Sequence, residues 1–93
     1  DATIVVLNAS GRVGVASPEA EVLTGAGFSD VTTDNTAYRL TTALAWYDLS
    51  GGKKTKTRSK LVKQLGVDAV GTKLPVGVQA TADFVILVGN GTH

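Results

Sequence analysis

The sequence predicts an α+β domain with the element order βαββαβ, folded as a split βαβ (ferredoxin-like) sandwich. Two short runs of β-branched and aliphatic residues, 4–7 and 84–88, lie near the two ends of the chain. Two windows with helical features each stop at a glycine, Gly27 and Gly66. The connection between the second and third predicted strands is too short for a parallel crossover. We therefore expect a mainly antiparallel four-stranded sheet, in the order 4-1-3-2, with both helices on one face.

The first strand leads through a polar turn into the first helix. Residues 8–14, quoted as "NASGRVG", are rich in Asn, Ser and Gly, and this composition predicts a turn. Ser17 can cap a helix and Pro18 is tolerated at its first position. We expect the helix to end at Gly27, because glycine readily adopts the left-handed conformation after a last turn.

The middle of the chain predicts two strands followed by a second helix. Residues 28–33 form the less apolar second strand, residues 34–39 a turn and residues 40–49 the third strand. Residues 54–65 predict an amphipathic helix that ends at Gly66. Its apolar stripe consists of Leu61, Val62 and Leu65.

The last third of the chain raises the question of what covers the helix-free face of the sheet. Residues 67–80 are irregular, with a short strand expected near residues 76–79, and residues 84–88 form the final strand. The first and last strands carry aliphatic residues on both faces, whereas a sheet covered on one side alternates apolar with polar residues. We expect cover from residues 67–80, a second copy or a neighbouring domain. A more parallel, doubly wound sheet is the alternative, and the short second connection argues against it.

Size and composition restrict the classes of function. Ninety-three residues make a single domain, residues 1–93, and the absence of methionine with a strand close to Asp1 indicates a piece of a longer protein. The absence of cysteine excludes disulfides and thiolate metal sites. A net charge of +1 does not identify a nucleic-acid binder, and we expect no nucleic-acid partner. His93 is the lone histidine and the acidic residues are scattered, so we predict no catalytic residues, no metal and no cofactor.

The turn after the first strand allows two interpretations. "SGRVG" matches part of a dinucleotide-binding fingerprint, but a third glycine and an acid that ends the second strand are missing, as are the lysine and hydroxyl of a phosphate-binding loop. The turn is either a corner that side-chain hydrogen bonds and glycines stabilise, or a weak anion site beside a helix N-terminus. The candidate residues are Asn8, Ser10, Gly11, Arg12, Gly14, Thr41 and Thr42.

The second predicted helix concentrates positive charge. "KKTKTRSKLVK" holds six of the nine basic residues. Four of them share one side of the helix at 3-4-3 spacing and define the basic ridge: Lys53, Lys56, Lys60 and Lys63. The basic ridge is either a contact surface for an anionic polymer or a solvated helix face. It lacks the aromatic residues that stack nucleic-acid bases.

Several motifs together resemble the LytR C-terminal domain family. These are "VVLNASGRVGVAS" with "VLTGAGF", "TTALAWYD" and "ADFVILVGNG", in this order over nearly the whole chain. The resemblance implies an extracytoplasmic domain of Gram-positive bacteria, especially actinobacteria, found at the C-terminus of LytR-CpsA-Psr cell-envelope proteins or alone behind a membrane anchor.

The resemblance also implies a non-catalytic, accessory role. The expected partner is anionic wall polymer, peptidoglycan or a cell-envelope protein, and the expected anchor is a membrane segment outside this sequence. The basic ridge is the candidate polymer contact. The alternative is a protein-interaction or dimerisation module that uses the apolar open face of the sheet, with a homodimer as its expected product.

Overall fold

The computed structural model describes residues 2–11, 14, 16–28, 30–78 and 80–89. Six elements follow one another in the predicted order βαββαβ. They are β1 (Thr3–Asn8), α1 (Ala16–Gly25), β2 (Asp30–Asn35), β3 (Leu44–Asp48), α2 (Thr55–Leu65) and β4 (Phe84–Val88). The bounds of β4 agree with the prediction, and those of α2 differ by one residue. The α+β class is thereby confirmed.

The predicted ferredoxin-like strand order, 4-1-3-2, and the mainly antiparallel sheet are wrong. The four strands form a mixed sheet in the order β2-β1-β4-β3. Both β2 and β4 pair parallel to β1, and only β3 and β4 pair antiparallel. The two central strands are therefore β1 and β4.

The short connection between β2 and β3 misled the prediction because these strands are not neighbours. The eight residues 36–43, here called the crossover, run over the carboxyl ends of β1 and β4. Three strand spacings of about 4.8 Å amount to about 14 Å, which eight extended residues at about 3.4 Å each can easily span. The Leu40 N–H donates to the Ala9 carbonyl at 2.9 Å, and the Gly89 N–H donates to the Ala43 carbonyl at 2.8 Å.

Both helices cover one face of the sheet, as predicted. Leu23 of α1 and Leu61 of α2 are fully buried in one apolar cluster with Ile4, Trp46 and Phe84 from the strands. The Trp46 indole N–H donates to the Val67 carbonyl at 2.9 Å, so the one polar atom of this large side chain is satisfied.

The opposite face of the sheet is covered by the chain itself, so the expected apolar open face does not exist. Residues 67–78, here called the strap, leave α2, pass the outer edge of β3 and cross this face. The Val70 N–H donates to the Trp46 carbonyl at 2.8 Å, and Val78 of the strap is buried with Leu87 and Tyr47. Of the three expected covers, the irregular segment after α2 is the one observed. The strand expected near residues 76–79 is absent from the part that the structure describes.

Candidate functional site

A polar crevice opens at the carboxyl ends of β1 and β2, beside the start of α1. Its volume is about 480 Å³. The described residues that line it are Asn8, Gly11, Gly14, Ala16, Ser17, Thr33, Asp34, Asn35, Thr36 and Arg39. One acid and one arginine stand among amides, hydroxyls and glycines, so the formal charges in this lining cancel.

The floor of the crevice is a turn held by side-chain hydrogen bonds. The Asn8 Oδ1 atom accepts the Ser10 N–H at 3.0 Å and the Ser10 hydroxyl at 2.6 Å. Both residues are buried. Gly11 and Gly14 adopt φ values of +80° and +79°, which side chains rarely tolerate. Four of the predicted turn residues thus form one structured corner, while Arg12 lies outside the described residues.

Arg39 of the crossover lies against this turn. A Cβ atom placed on Gly11 would stand 3.0 Å from the Arg39 Nε atom, so the arginine side chain lies directly against the backbone of residue 11. The Arg39 Nη1 atom donates to the Thr36 carbonyl at 2.8 Å and to the Tyr38 carbonyl at 3.2 Å. The sequence predicts a turn at residues 34–39, and Arg39 was not among the candidate residues of this site.

Asp34 closes the side of the crevice formed by β2. Its partner in the parallel register is Leu7, and the neighbouring pair is Asn8 with Asn35. The sequence predicts that the second strand ends at residue 33 and that no acid ends it. This prediction is wrong, because β2 continues through Asn35 and Asp34 lies at its carboxyl end.

Thr41 and Thr42 do not line the crevice. The prediction placed them at the start of a third strand beside the first, but β3 begins at Leu44 and lies next to β4. Both threonines are exposed on the crossover. The Thr42 carbonyl instead faces Gly89, where an added Cβ would stand 2.0 Å from its oxygen.

The basic ridge lies on the helix face of the molecule, away from the crevice. Lys56, Lys60 and Lys63 are exposed on α2, and exposed Lys53 precedes the helix by two residues. The Lys60 Nζ atom lies 4.9 Å from the centre of the Phe28 ring, a cation–π contact. Phe28 follows the end of α1, so the crevice and Lys60 lie at opposite ends of this ten-residue helix, about 15 Å apart.

A third polar cluster, which the sequence did not reveal, fastens the strap. Arg58 of α2 pairs with buried Asp48 and exposed Asp68, each at 3.1 Å. Burial would raise the pKa of Asp48, but hydrogen bonds from Ser50 and the charge and hydrogen bond of Arg58 outweigh it and hold this pKa below its usual value. All of these groups have partners, so the cluster is structural.

The described ranges contain no group of three His, Cys, Asp or Glu side chains arranged to hold a metal ion. None of the helices in these ranges is long and apolar enough to cross a membrane.

Comparison with known proteins assigns the family. Residues 1–91 match the family described as "LytR cell envelope-related transcriptional attenuator", which covers essentially the whole chain. Searches of curated proteins and of solved structures gave no match. The match confirms the resemblance seen in the sequence motifs and connects the domain with the cell envelope. The chain belongs to the LytR C-terminal family, whose members are accessory domains.

Proposed function

We propose that this chain is a non-catalytic, extracytoplasmic accessory domain that binds anionic wall glycopolymer through the basic ridge. Family membership supports the cell-envelope role. The polymer contact is supported by the distribution of charge in and around α2, which is the observation that carries the proposal.

The segment from residue 49 to residue 67 holds six basic residues and no acid. Arg58 is neutralised by its two carboxylate partners. The exposed lysines of the basic ridge make no ion pair with any described residue. Such a ridge creates a positive potential that attracts a polyanion and weakens with salt.

The alternative function was a protein-interaction or dimerisation module that uses an apolar open face of the sheet. It is not favoured, because the strap covers that face. The crevice is also a poorer polyanion site than the basic ridge, since Asp34 offsets Arg39 within its lining.

The experiment is an NMR titration of the isotope-labelled chain with poly(glycerol phosphate) at low and moderate salt. We expect shifts on α2, an affinity that falls with salt, and a large loss of affinity in Lys56→Glu/Lys63→Glu. Lys60 is left intact because it also contacts Phe28. The control is Lys73→Glu, a single exposed charge reversal on the strap, which is matched to the single variant Lys56→Glu.

Two outcomes would contradict the proposal. One is the absence of shifts with the polymer, and the other is an equal loss of affinity in the strap control. Peptidoglycan fragments, which lack phosphate, serve as a comparison ligand, and an equal response to them would assign binding to the glycan and not to the phosphate charge.

A further inference from the structure

We infer that the crevice is a second binding site, separate from the basic ridge, which takes a single phosphorylated sugar. Its phosphate lies at Arg39 and Gly11, and its hydroxyls bond to Asp34. The lining of the cavity and the position of the crossover support this inference.

Arg39 supplies a positive charge that still has unused N–H donors. Its two hydrogen bonds to the Thr36 and Tyr38 carbonyls use Nη1 only, whereas a guanidinium carries five N–H donors. No carboxylate of a described residue forms an ion pair with it. Because the side chain lies across Gly11 and no described carboxylate pairs with its charge, it is prepared for the bidentate contact that arginine makes with phosphate.

Asp34 supplies the acceptor for sugar hydroxyls. Its Oδ1 atom accepts the Asn35 N–H at 2.8 Å, and within the described residues Oδ2 has no donor. An acid at the end of the second strand of a parallel βαβ unit is the residue type that accepts ribose hydroxyls in nucleotide-binding folds. Here Asp34 stands twenty residues after Gly14 and lines the same cavity.

The crossover limits the ligand to one sugar and one phosphate. It closes the side of the crevice toward β4 by the bonds of Leu40 to Ala9 and of Gly89 to Ala43. A dinucleotide would extend across this region. Ala9 stands where the dinucleotide-binding fingerprint has its first glycine, two residues before Gly11. It is fully buried, and both its N–H and its carbonyl are hydrogen-bonded. A volume of about 480 Å³ lies within the range of about 300–1,000 Å³ typical of small-molecule sites.

The test is a titration of the 93-residue chain with ribose 5-phosphate, ribose and inorganic phosphate, each up to about 10 mM, followed by amide NMR. We expect saturable shifts at Gly11, Asn35 and Arg39 with ribose 5-phosphate, and at least tenfold weaker binding of either part alone. Asp34→Asn should weaken ribose 5-phosphate binding and leave inorganic phosphate unchanged. Arg39→Gln should weaken both.

The control for the acid is Asp30→Asn, an exposed carboxylate at the far end of β2, which should change nothing. No saturable shift with ribose 5-phosphate, or an equal effect of Asp30→Asn and Asp34→Asn, would overturn the inference. The variant Lys56→Glu/Lys63→Glu should keep the crevice affinity, so failure of the basic-ridge proposal and failure of this one are distinguishable.

Two sources of the same chemistry can be separated with further probes. Binding of AMP that is tighter than that of ribose 5-phosphate would identify a nucleotide. Equal binding of AMP, ribose 5-phosphate and a hexose phosphate would identify a sugar-phosphate unit of the wall polymer. Either result supports a phosphorylated-sugar site.

Discussion

Substitution of Gly89 by alanine tests the path of the crossover, on which both the fold and the crevice depend. A Cβ atom on Gly89 would stand 2.0 Å from the Thr42 carbonyl oxygen and 2.8 Å from the Leu40 carbonyl oxygen. Ordinary van der Waals contact begins near 3.4 Å, so the crossover would have to move by more than 1 Å. Gly89 does not have a positive φ, so the added methyl group acts through steric overlap and not through backbone strain.

The cost has two parts. Overpacking of a well-packed site costs about 1–3 kcal/mol. Displacement of the crossover also breaks the 2.8 Å bond from the Gly89 N–H to the Ala43 carbonyl, and a buried backbone group left without a partner costs about 1–3 kcal/mol. Gly89→Ala should therefore lower the free energy of unfolding by about 2–6 kcal/mol, a large share of the 5–15 kcal/mol typical of a domain.

Urea denaturation followed by the fluorescence of buried Trp46 measures this change. At about 4–8 °C per kcal/mol, the melting temperature should fall by at least about 8 °C. The control is Gly25→Ala at the exposed end of α1, where an added Cβ meets nothing within 4 Å and stability should rise by up to about 1 kcal/mol. An unfolding midpoint of Gly89→Ala equal to that of the parent chain would refute the described path of the crossover.

Two further predictions concern side chains that fasten α2. Because the pKa of Asp48 is lowered in the folded state, its contribution to stability is present above the unfolded pKa of about 3.9 and is lost as the pH falls below it. Asp48→Asn should cost about 1–3 kcal/mol at neutral pH and flatten the acid limb of a stability–pH curve; an unchanged limb would contradict this. Loss of the Phe28 contact in Lys60→Gln should cost about 0.5–1 kcal/mol in urea denaturation, whereas Lys56→Gln should be nearly neutral. Equal midpoints for these two variants would show that the cation–π contact does not stabilise the fold.

Elements with a strong local signal could be predicted from the sequence. The second helix ends where its terminating glycine is, since Gly66 takes φ +77° and its N–H bonds to the Val62 carbonyl at 2.9 Å. The bounds of β4 were predicted correctly because its five consecutive apolar residues are typical of a buried strand, and all five are buried. The apolar residues on both faces of β1 and β4 also predicted correctly that both faces are covered.

The pairing of strands could not be predicted, because it is not encoded in local pattern. β2 is a polar edge strand, exposed along nearly its whole length, so no hydrophobic alternation marked its end at Asn35. The short connection between β2 and β3 excludes a parallel pairing only if these two strands are neighbours in the sheet. An eight-residue segment fits an antiparallel turn and a crossover over two strand ends equally well.

The error in strand order also explains why the site was only half predicted. The turn residues from Asn8 to Gly14 were identified because glycine, asparagine and serine mark a corner wherever the sheet places it. Their partners depend on which strand lies next to β1. With the predicted third strand in that place, Thr41 and Thr42 would have faced the turn. With β2 in that place, Asp34 and Arg39 face it, and a corner that sequence reasoning described as a weak anion site gains both a cation and a hydroxyl acceptor.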